Sequence, residues 1–188
     1  MLTTLALADT GPAHIMKGSI VGGASEITYW YDSSVTNYGF QGSLDNGIAE
    51  WDAASSKVGF KKSSTASAAM KVYVGYNALP DGTYGETTYW NYNWLGQVEQ
   101  VSAPYIQQLG DSFEQARIVL DHGNQDEMGF DYTHRYKTSG HEIGHVLSLA
   151  HFEDSPAHLD KNWMTSGKIS LTKPTSTDLA HLRTKWGW

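Results

Sequence analysis

The chain has 188 residues, of which 40% are apolar and 18% are charged, and its formal net charge at pH 7 is −7. This length fits one domain with its own hydrophobic core, and this composition excludes a disordered chain. The acidic balance argues against nucleic acid as a partner, because phosphate groups carry the same sign of charge. The chain contains no cysteine, which excludes disulfide bonds and thiolate-bound zinc, so any metal must be held by His, Asp or Glu.

Residues 1–25 contain several glycines and show no clear hydrophobic period, which indicates an arm that leads into the domain. Within this arm, Leu5–Ala8 followed by Asp9 resembles the small-residue end of a signal peptide, with cleavage after Ala8. A short lead-in with no targeting role is an equally good interpretation of the same residues. No apolar run in the chain approaches the length of a membrane span.

The remaining residues, 26–188, contain no internal repeat and no linker, so we expect them to form a single domain. Alternation of apolar residues predicts strands in four stretches. These strands begin near Ile27, Val58, Met70 and Ala116. Residues 83–105 are rich in Thr, Tyr, Trp and Asn, which is typical of strands joined by long loops.

Apolar residues at helical spacing predict three main helices. The first covers about residues 39–56, the second begins near Thr133, and the third follows Pro174. Thr175, with Asp178 three residues later, forms a capping pair at the start of the third helix. Residues 122–132 are predicted to form a loop.

The second helix carries His141, Glu142 and His145, and His151 follows six residues later. Histidines four residues apart lie on the same helix face, so their imidazoles can converge on one metal ion. The Glu142 carboxylate follows the first histidine and can reach a water bound to that metal. On a continuous helix, His151 would lie roughly 15 Å from His141 along the axis. For His151 to bind the same metal, the helix must end after about Leu147 and the chain must turn back.

Met164 lies thirteen residues beyond His151. Here the chain resembles the metzincin metalloproteases, and the matrixin branch in particular. That family shows His-Glu-x-x-His-x-x-Gly-x-x-His, followed by a turn that carries a methionine beneath the metal. The resemblance implies the following roles. His141, His145 and His151 would be zinc ligands, Glu142 the general base and Met164 the methionine of that turn.

The family pattern has glycine at the turn that brings the third histidine back, and this chain has Ser148 there. Glycine tolerates positive φ, whereas serine in that conformation costs on the order of 1 kcal/mol. An aspartate as third ligand, from Asp154 or Asp160, stays open as a weaker alternative. A glutamate on a later helix, the third ligand in another branch of zinc proteases, is nearly ruled out because no glutamate follows Glu153.

The resemblance implies an α+β, zincin-like fold, with a twisted, mostly parallel sheet of about five strands, an antiparallel edge strand and three main helices. It also implies a secreted, monomeric zinc endopeptidase that acts on proteins or peptides. Three neutral imidazoles favour zinc and leave it an open position for a water, whose proton Glu142 would take. We expect the substrate to lie along an edge strand within residues 83–92. Residues 165–171 are expected to line the pocket for the residue after the cleaved bond.

Other features leave further functions open. The aromatic segment Tyr89–Trp94 is typical of a glycan-stacking surface or, more commonly, of sheet and core packing. It underlies a second hypothesis, a non-enzymatic extracellular binding module on a metzincin frame. His134, two helical turns before His141, is a candidate for the mouth of the site. A structural Ca²⁺ site would draw on acids whose spacing matches no EF-hand loop. These acids are Asp111, Asp121, Asp126, Glu127 and Asp131.

Overall fold

The computed structural model describes residues 12–154, residue 157 and residues 160–188. The signal-like segment at residues 5–8 and His158 therefore lie outside the described residues. Six strands form one sheet. They are β1 Ile27–Tyr31, β2 Phe60–Lys62, β3 Met70–Gly75, β4 Gly85–Tyr92, β5 Val98–Val101 and β6 Gln115–Asp121.

The strand order across the sheet is β2-β1-β3-β6-β4-β5. The first four of these run parallel, β4 is antiparallel to β6, and β5 is antiparallel to β4. Alternate residues of β3, such as Met70 and Val72, are buried, as a strand with one face on the core requires. The predicted α+β fold with a mostly parallel sheet and antiparallel pairing at one edge is confirmed, and it is compatible with a zincin-like fold.

β5 adds a sixth strand to the five that were expected. It pairs with the outer half of β4, from Tyr89 opposite Val101 to Tyr92 opposite Val98. The Asn93 side chain closes the hairpin, because its Oδ1 accepts the backbone N–H groups of Leu95 and Gln97. Most β5 residues are exposed, so no apolar alternation marked this strand in the sequence.

Three α-helices lie where the hydrophobic spacing predicted them, and two short α-helices, the first and third in chain order, are additional. They are α1 Ser33–Asn37, α2 Gln41–Ala54, α3 His122–Glu127, α4 Tyr132–Val146 and α5 Ser176–Trp186. The loop predicted over residues 122–132 is wrong in its first half, where the Asp121 side chain caps α3 by accepting the N–H of Asn124. In the part of the chain that the structure describes, no helix is long and apolar enough to cross a membrane.

Helices α2 and α4 pack closely against each other at Gly47. A Cβ on Gly47 would lie 3.2 Å from the backbone nitrogen of Gly140, which is a tight contact. A Cβ on Gly140 would overlap the Trp163 ring, so that position has no room for a larger residue. Trp51 of α2 donates its indole N–H to the Gly140 carbonyl at 2.7 Å and stacks edge-on against Trp163. These contacts fix α4, which carries the metal-binding motif, against the core.

The described part of the N-terminal arm packs against the segment that follows α4. The N–H of Met16 donates to the Ser148 carbonyl, and the N–H of Ala150 donates to the His14 carbonyl, both at 2.9 Å. Met16 and Ile20 are buried. The arm therefore holds the turn that returns the chain toward the site.

Candidate metal centre

Helix α4 ends at Val146 with Leu147 as its C-cap, and the chain then reverses direction at Ser148, as the sequence predicted for a site that includes His151. Ser148 has φ +65°, in the left-handed region that favours glycine. Its side chain is fully buried, and its Oγ has no hydrogen-bond partner among the described residues. The residue thus adopts the conformation that the family pattern assigns to glycine, in spite of its side chain.

This reversal brings the three histidines together. The His145 Nε2 lies 3.1 Å from the Nε2 of His141 and 3.1 Å from the Nε2 of His151. One ring nitrogen from each residue lies within 4.8 Å of the others. Among the described residues, this is the group of His, Cys, Asp or Glu side chains that can hold a metal ion.

Backbone carbonyls fix the tautomers of the two helical histidines. The Nδ1 of His141 lies 2.7 Å from the Trp163 carbonyl, and that of His145 lies 2.8 Å from the Leu149 carbonyl. A carbonyl only accepts, so each Nδ1 must carry the proton, and each Nε2 presents a lone pair. The approach of these Nε2 atoms is therefore a contact between acceptors, which repel each other unless a cation lies between them.

Burial keeps the helical imidazoles neutral. It lowers the pKa of His145 to about 3 and holds the pKa of His141 well below its usual value. A neutral imidazole is the form that binds a metal. Three imidazoles with converging ring nitrogens match the donor set of a histidine-bound zinc site, so the residues fit the metal that the motif implies.

Glu142 lies beside this cluster in a defined orientation. Its carboxylate is buried, and the hydroxyl of Thr87 in β4 donates to its Oε2 at 2.7 Å. Gly85 faces the same carboxylate, and a Cβ there would lie 2.8 Å from Oε1. Burial raises the pKa of Glu142 to about 7, while the hydrogen bond from Thr87 acts in the opposite direction. The carboxyl group is thus placed to take up and release a proton near neutral pH.

Met164 packs against the helix that carries His141 and His145. It is fully buried, and a Cβ on Gly144 would overlap its sulfur, so the helix and the turn pack tightly here. Asp178 of α5 accepts the backbone N–H groups of Trp163 at 2.9 Å and Met164 at 3.1 Å. Because the Trp163 carbonyl in turn accepts from His141, the buried Asp178 positions both the methionine and a histidine.

A cleft of about 570 Å³ runs past the three histidines and Glu142. It is lined by the segment that leads into β4, by β4 itself, by α4 and by the residues after Met164. Its lining includes Tyr84, Gly85, Thr87, Lys137, Thr138, Ser166 and Gly167. Of residues 165–171, Ser166 and Gly167 line the cleft, and the strand within residues 83–92 also contributes to it. Their expected roles in binding substrate stay predictions.

The other described histidines lie away from the cluster of His141, His145 and His151. His134 caps α4 together with Asp131, and it does not line the cleft. His122 packs among aromatic rings, and His14 and His181 are buried next to Phe152. The aspartates considered as alternative third ligands, residues 154 and 160, are not part of the cluster, so the geometry favours His151.

The acids considered for calcium do not converge. Asp121 accepts four backbone N–H groups around α3, Asp126 pairs with Arg135, and Asp131 caps α4. Each of these carboxylates already has local partners. They do not form a carboxylate cluster among the described residues, and no calcium site is proposed.

The aromatic segment 89–94 does not present one continuous face. Tyr89 is buried in the core. Trp90 stacks against the guanidinium of Arg117, whose Cζ lies 3.9 Å from the centroid of the Trp90 ring. Tyr92 and Trp94 are exposed in the β4–β5 hairpin, Trp94 by 89%. The segment is therefore mainly part of the sheet, with two exposed rings at its outer end.

Three residues that build the site had no signal in the sequence, and a fourth had only part of one. Thr87, Gly85 and Lys137 reach it through the sheet register and the packing of α4. Asp178 was expected only as a capping residue, yet its carboxylate also holds the turn before the third helix. The role of Thr87 could have been predicted only by knowing that its strand, β4, packs next to the part of α4 that carries Glu142.

A scan against models of protein families gives no match to this chain, and a search of curated proteins gives none either. The assignment of function therefore depends on the residues and on the geometry of the site. What the structure establishes is a cluster of three histidines, able to hold a metal ion, on a fold with a mostly parallel sheet.

Proposed function

We propose that this chain is a metzincin-type zinc endopeptidase, close to the matrixins, with His141, His145 and His151 as zinc ligands. The observation that carries the proposal is the buried carboxylate of Glu142, which Thr87 holds directly beside three convergent imidazoles. A site that only bound metal would have no use for a proton acceptor in this position. Zinc held by these residues would act as a Lewis acid toward the peptide carbonyl and would acidify water in the cleft.

The residues of the chain transfer the proton and orient the group that carries it. Glu142 accepts the proton of the attacking water and passes it to the leaving amine, so that one carboxyl group acts first as base and then as acid. Thr87 keeps one oxygen of that carboxylate in a fixed hydrogen bond at 2.7 Å. Preorganisation of this kind reduces the motion needed during the reaction.

The substrate would bind as an additional strand. Among the described residues, the inner half of β4, Gly85–Thr88, has a strand partner on one side, β6, because β5 pairs with β4 from Tyr89 outward. Free backbone N–H and C=O groups at such an edge can pair with an extended peptide. The free edge lies next to Glu142, so a peptide bound there would bring its own backbone to the site. This arrangement supports cleavage of peptide bonds within a protein or peptide substrate.

The test combines metal analysis with hydrolysis of casein, with and without a chelator. We expect near-equimolar zinc and cleavage that a chelator abolishes and added zinc restores. Glu142→Gln should lower the rate at least about a hundredfold with zinc content unchanged, since a general base contributes at least that much. Glu127→Gln, an exposed glutamate in α3, is the matched control and should retain full activity.

Bound zinc without cleavage of any peptide would contradict the proposal. That result would favour the non-enzymatic binding module, and the exposed Tyr92 and Trp94 would then be the surface to examine for glycan binding. Secretion and a monomeric state belong to the same proposal. They are tested by culture fractionation and by the elution volume of the purified protein.

A further inference from the structure

The cleft contains a buried cation beside the histidines. Lys137 lies one helical turn before His141, lines the cleft, and is only 2% exposed. Its ammonium donates to the backbone carbonyl of Thr165, in the segment after Met164. An ammonium has three N–H donors, and the described residues supply an acceptor for one of them. Two donors are therefore left for whatever enters the cleft.

No acidic side chain of the described structure takes these donors. None of the ion pairs among the described residues includes Lys137. Glu142, Asp178 and Glu153 lie near enough to favour the charged form, but they are held by other groups. Asp178 accepts from backbone N–H groups of two turn residues, and Glu153 accepts from the N–H of Ser166. Burial lowers the pKa of Lys137 to about 8, so the ammonium is mainly charged at neutral pH.

The position of this ammonium favours a contact with the substrate rather than with the metal. Lys137 and Thr138 of α4 line this part of the cleft together with Ser166 and Gly167 of the segment after Met164. This is the pocket expected to receive the side chain after the cleaved bond. An apolar side chain there would bury two N–H donors without acceptors, whereas a carboxylate would accept both.

We propose that Lys137 is a specificity-determining residue that selects a substrate carboxylate in the pocket after the cleaved bond. The inference rests on the proposed peptidase function and adds its substrate class. Two sources share this chemistry. One is the side chain of Asp or Glu within a chain, and the other is the α-carboxylate of a substrate that ends at this position.

The test uses quenched fluorescent peptides that differ only after the cleaved bond, with mass spectrometry to identify that bond. Rates for peptides with Glu, Gln or Leu at this position distinguish the effect of side-chain charge from that of side-chain shape. A second pair ends at this position, with a free or an amidated C-terminus, and separates the two sources of carboxylate. For the wild type, we expect kcat/KM for one carboxylate source to exceed its neutral analogue about 10- to 100-fold, the value of a charge-assisted hydrogen bond in a buried site.

Lys137→Met should abolish this preference and raise kcat/KM for the Leu peptide, because the pocket becomes apolar. Lys137→Arg should retain a preference for the carboxylate. Lys173→Met is the matched control, since Lys173 is exposed and does not line the cleft. Thermal melting of each variant shows whether it folds. A merely structural Lys137 would change the rates for all peptides equally and leave their ratio unchanged.

A binding measurement separates this inference from the proposed function. Zinc-loaded Glu142→Gln protein is titrated with the labelled Glu and Gln peptides, and fluorescence anisotropy gives their affinities. Selective binding of the Glu peptide that Lys137→Met removes would support the pocket even if no hydrolysis were found. Equal rates and equal affinities for Glu and Gln peptides, with equal values for the free and amidated pair, would overturn the inference while leaving the peptidase proposal intact.

Discussion

Ser148→Gly is expected to stabilise the protein, in contrast to most substitutions of a fully buried residue. The left-handed conformation at φ +65° costs a residue with a Cβ about 1–2 kcal/mol, which glycine avoids. The buried hydroxyl has no partner among the described residues, and its removal recovers about 1–3 kcal/mol of desolvation. Against this, glycine adds about 0.5–1 kcal/mol of unfolded-chain entropy, and the lost side chain gives up packing worth about 1 kcal/mol.

The net expectation is a gain of about 1–2 kcal/mol, which corresponds to a rise in melting temperature of roughly 2–8 °C for a chain of this length. The assay is thermal unfolding followed by circular dichroism at a fixed zinc concentration, because bound metal shifts the melting temperature by mass action. Ser148→Ala removes the hydroxyl and keeps the Cβ. The difference between the Ala and Gly variants therefore isolates the backbone conformation.

Gly129→Ala calibrates the same backbone cost within this protein. Gly129 has φ +63°, and the nearest atom to an added Cβ is the Lys168 Nζ at 3.9 Å, so strain is introduced without a clash. We expect this variant to lose about 1 kcal/mol. If Gly129→Ala is destabilised as expected but Ser148→Gly melts below the wild type, the reasoning is refuted, and Ser148 must make a stabilising interaction that outweighs its strain.

Two further predictions concern the groups that orient the site. Thr87→Val should lower kcat/KM about tenfold with zinc content unchanged, because Glu142 loses its hydrogen bond. That bond lowers the pKa of Glu142, so its loss should move the acid limb of the pH–rate profile to higher pH. Asp178→Asn should destabilise the fold by about 1–3 kcal/mol and weaken zinc binding, since an amide N–H₂ would face a buried backbone N–H of the turn at Met164. Asp111→Asn, at an exposed position, should change neither the melting curve nor the zinc titration.

The elements that could be predicted from the sequence are those with a strong local pattern. α2 and α5 follow apolar residues at helical spacing, and Thr175 caps α5 as expected. The convergence of His141 and His145 follows from their separation by one turn. The return of His151 was also predictable, because a continuous helix would carry it too far away to join them.

The elements that the sequence missed or left without bounds are polar, and their structure depends on distant partners. α3 contains no apolar stripe, and it forms where Asp121 also accepts backbone N–H groups from Asn77, Ala78 and Leu79, which follow the neighbouring strand β3. β5 exists because it pairs with β4, and its side chains are mostly exposed. Neither interaction leaves a periodic signal in its own segment.

The sequence by itself predicted that His141 and His145 share a helix face, because spacing along a helix fixes which side chains lie together, and that the helix must end near Leu147 if His151 is to join them. Only the tertiary structure placed Thr87 against Glu142, Asp178 under the turn at Met164, and the Lys137 ammonium in the cleft. These contacts join residues that are far apart in sequence. Their geometry is set by sheet register and by the packing of α4 on its neighbours, which no single segment encodes.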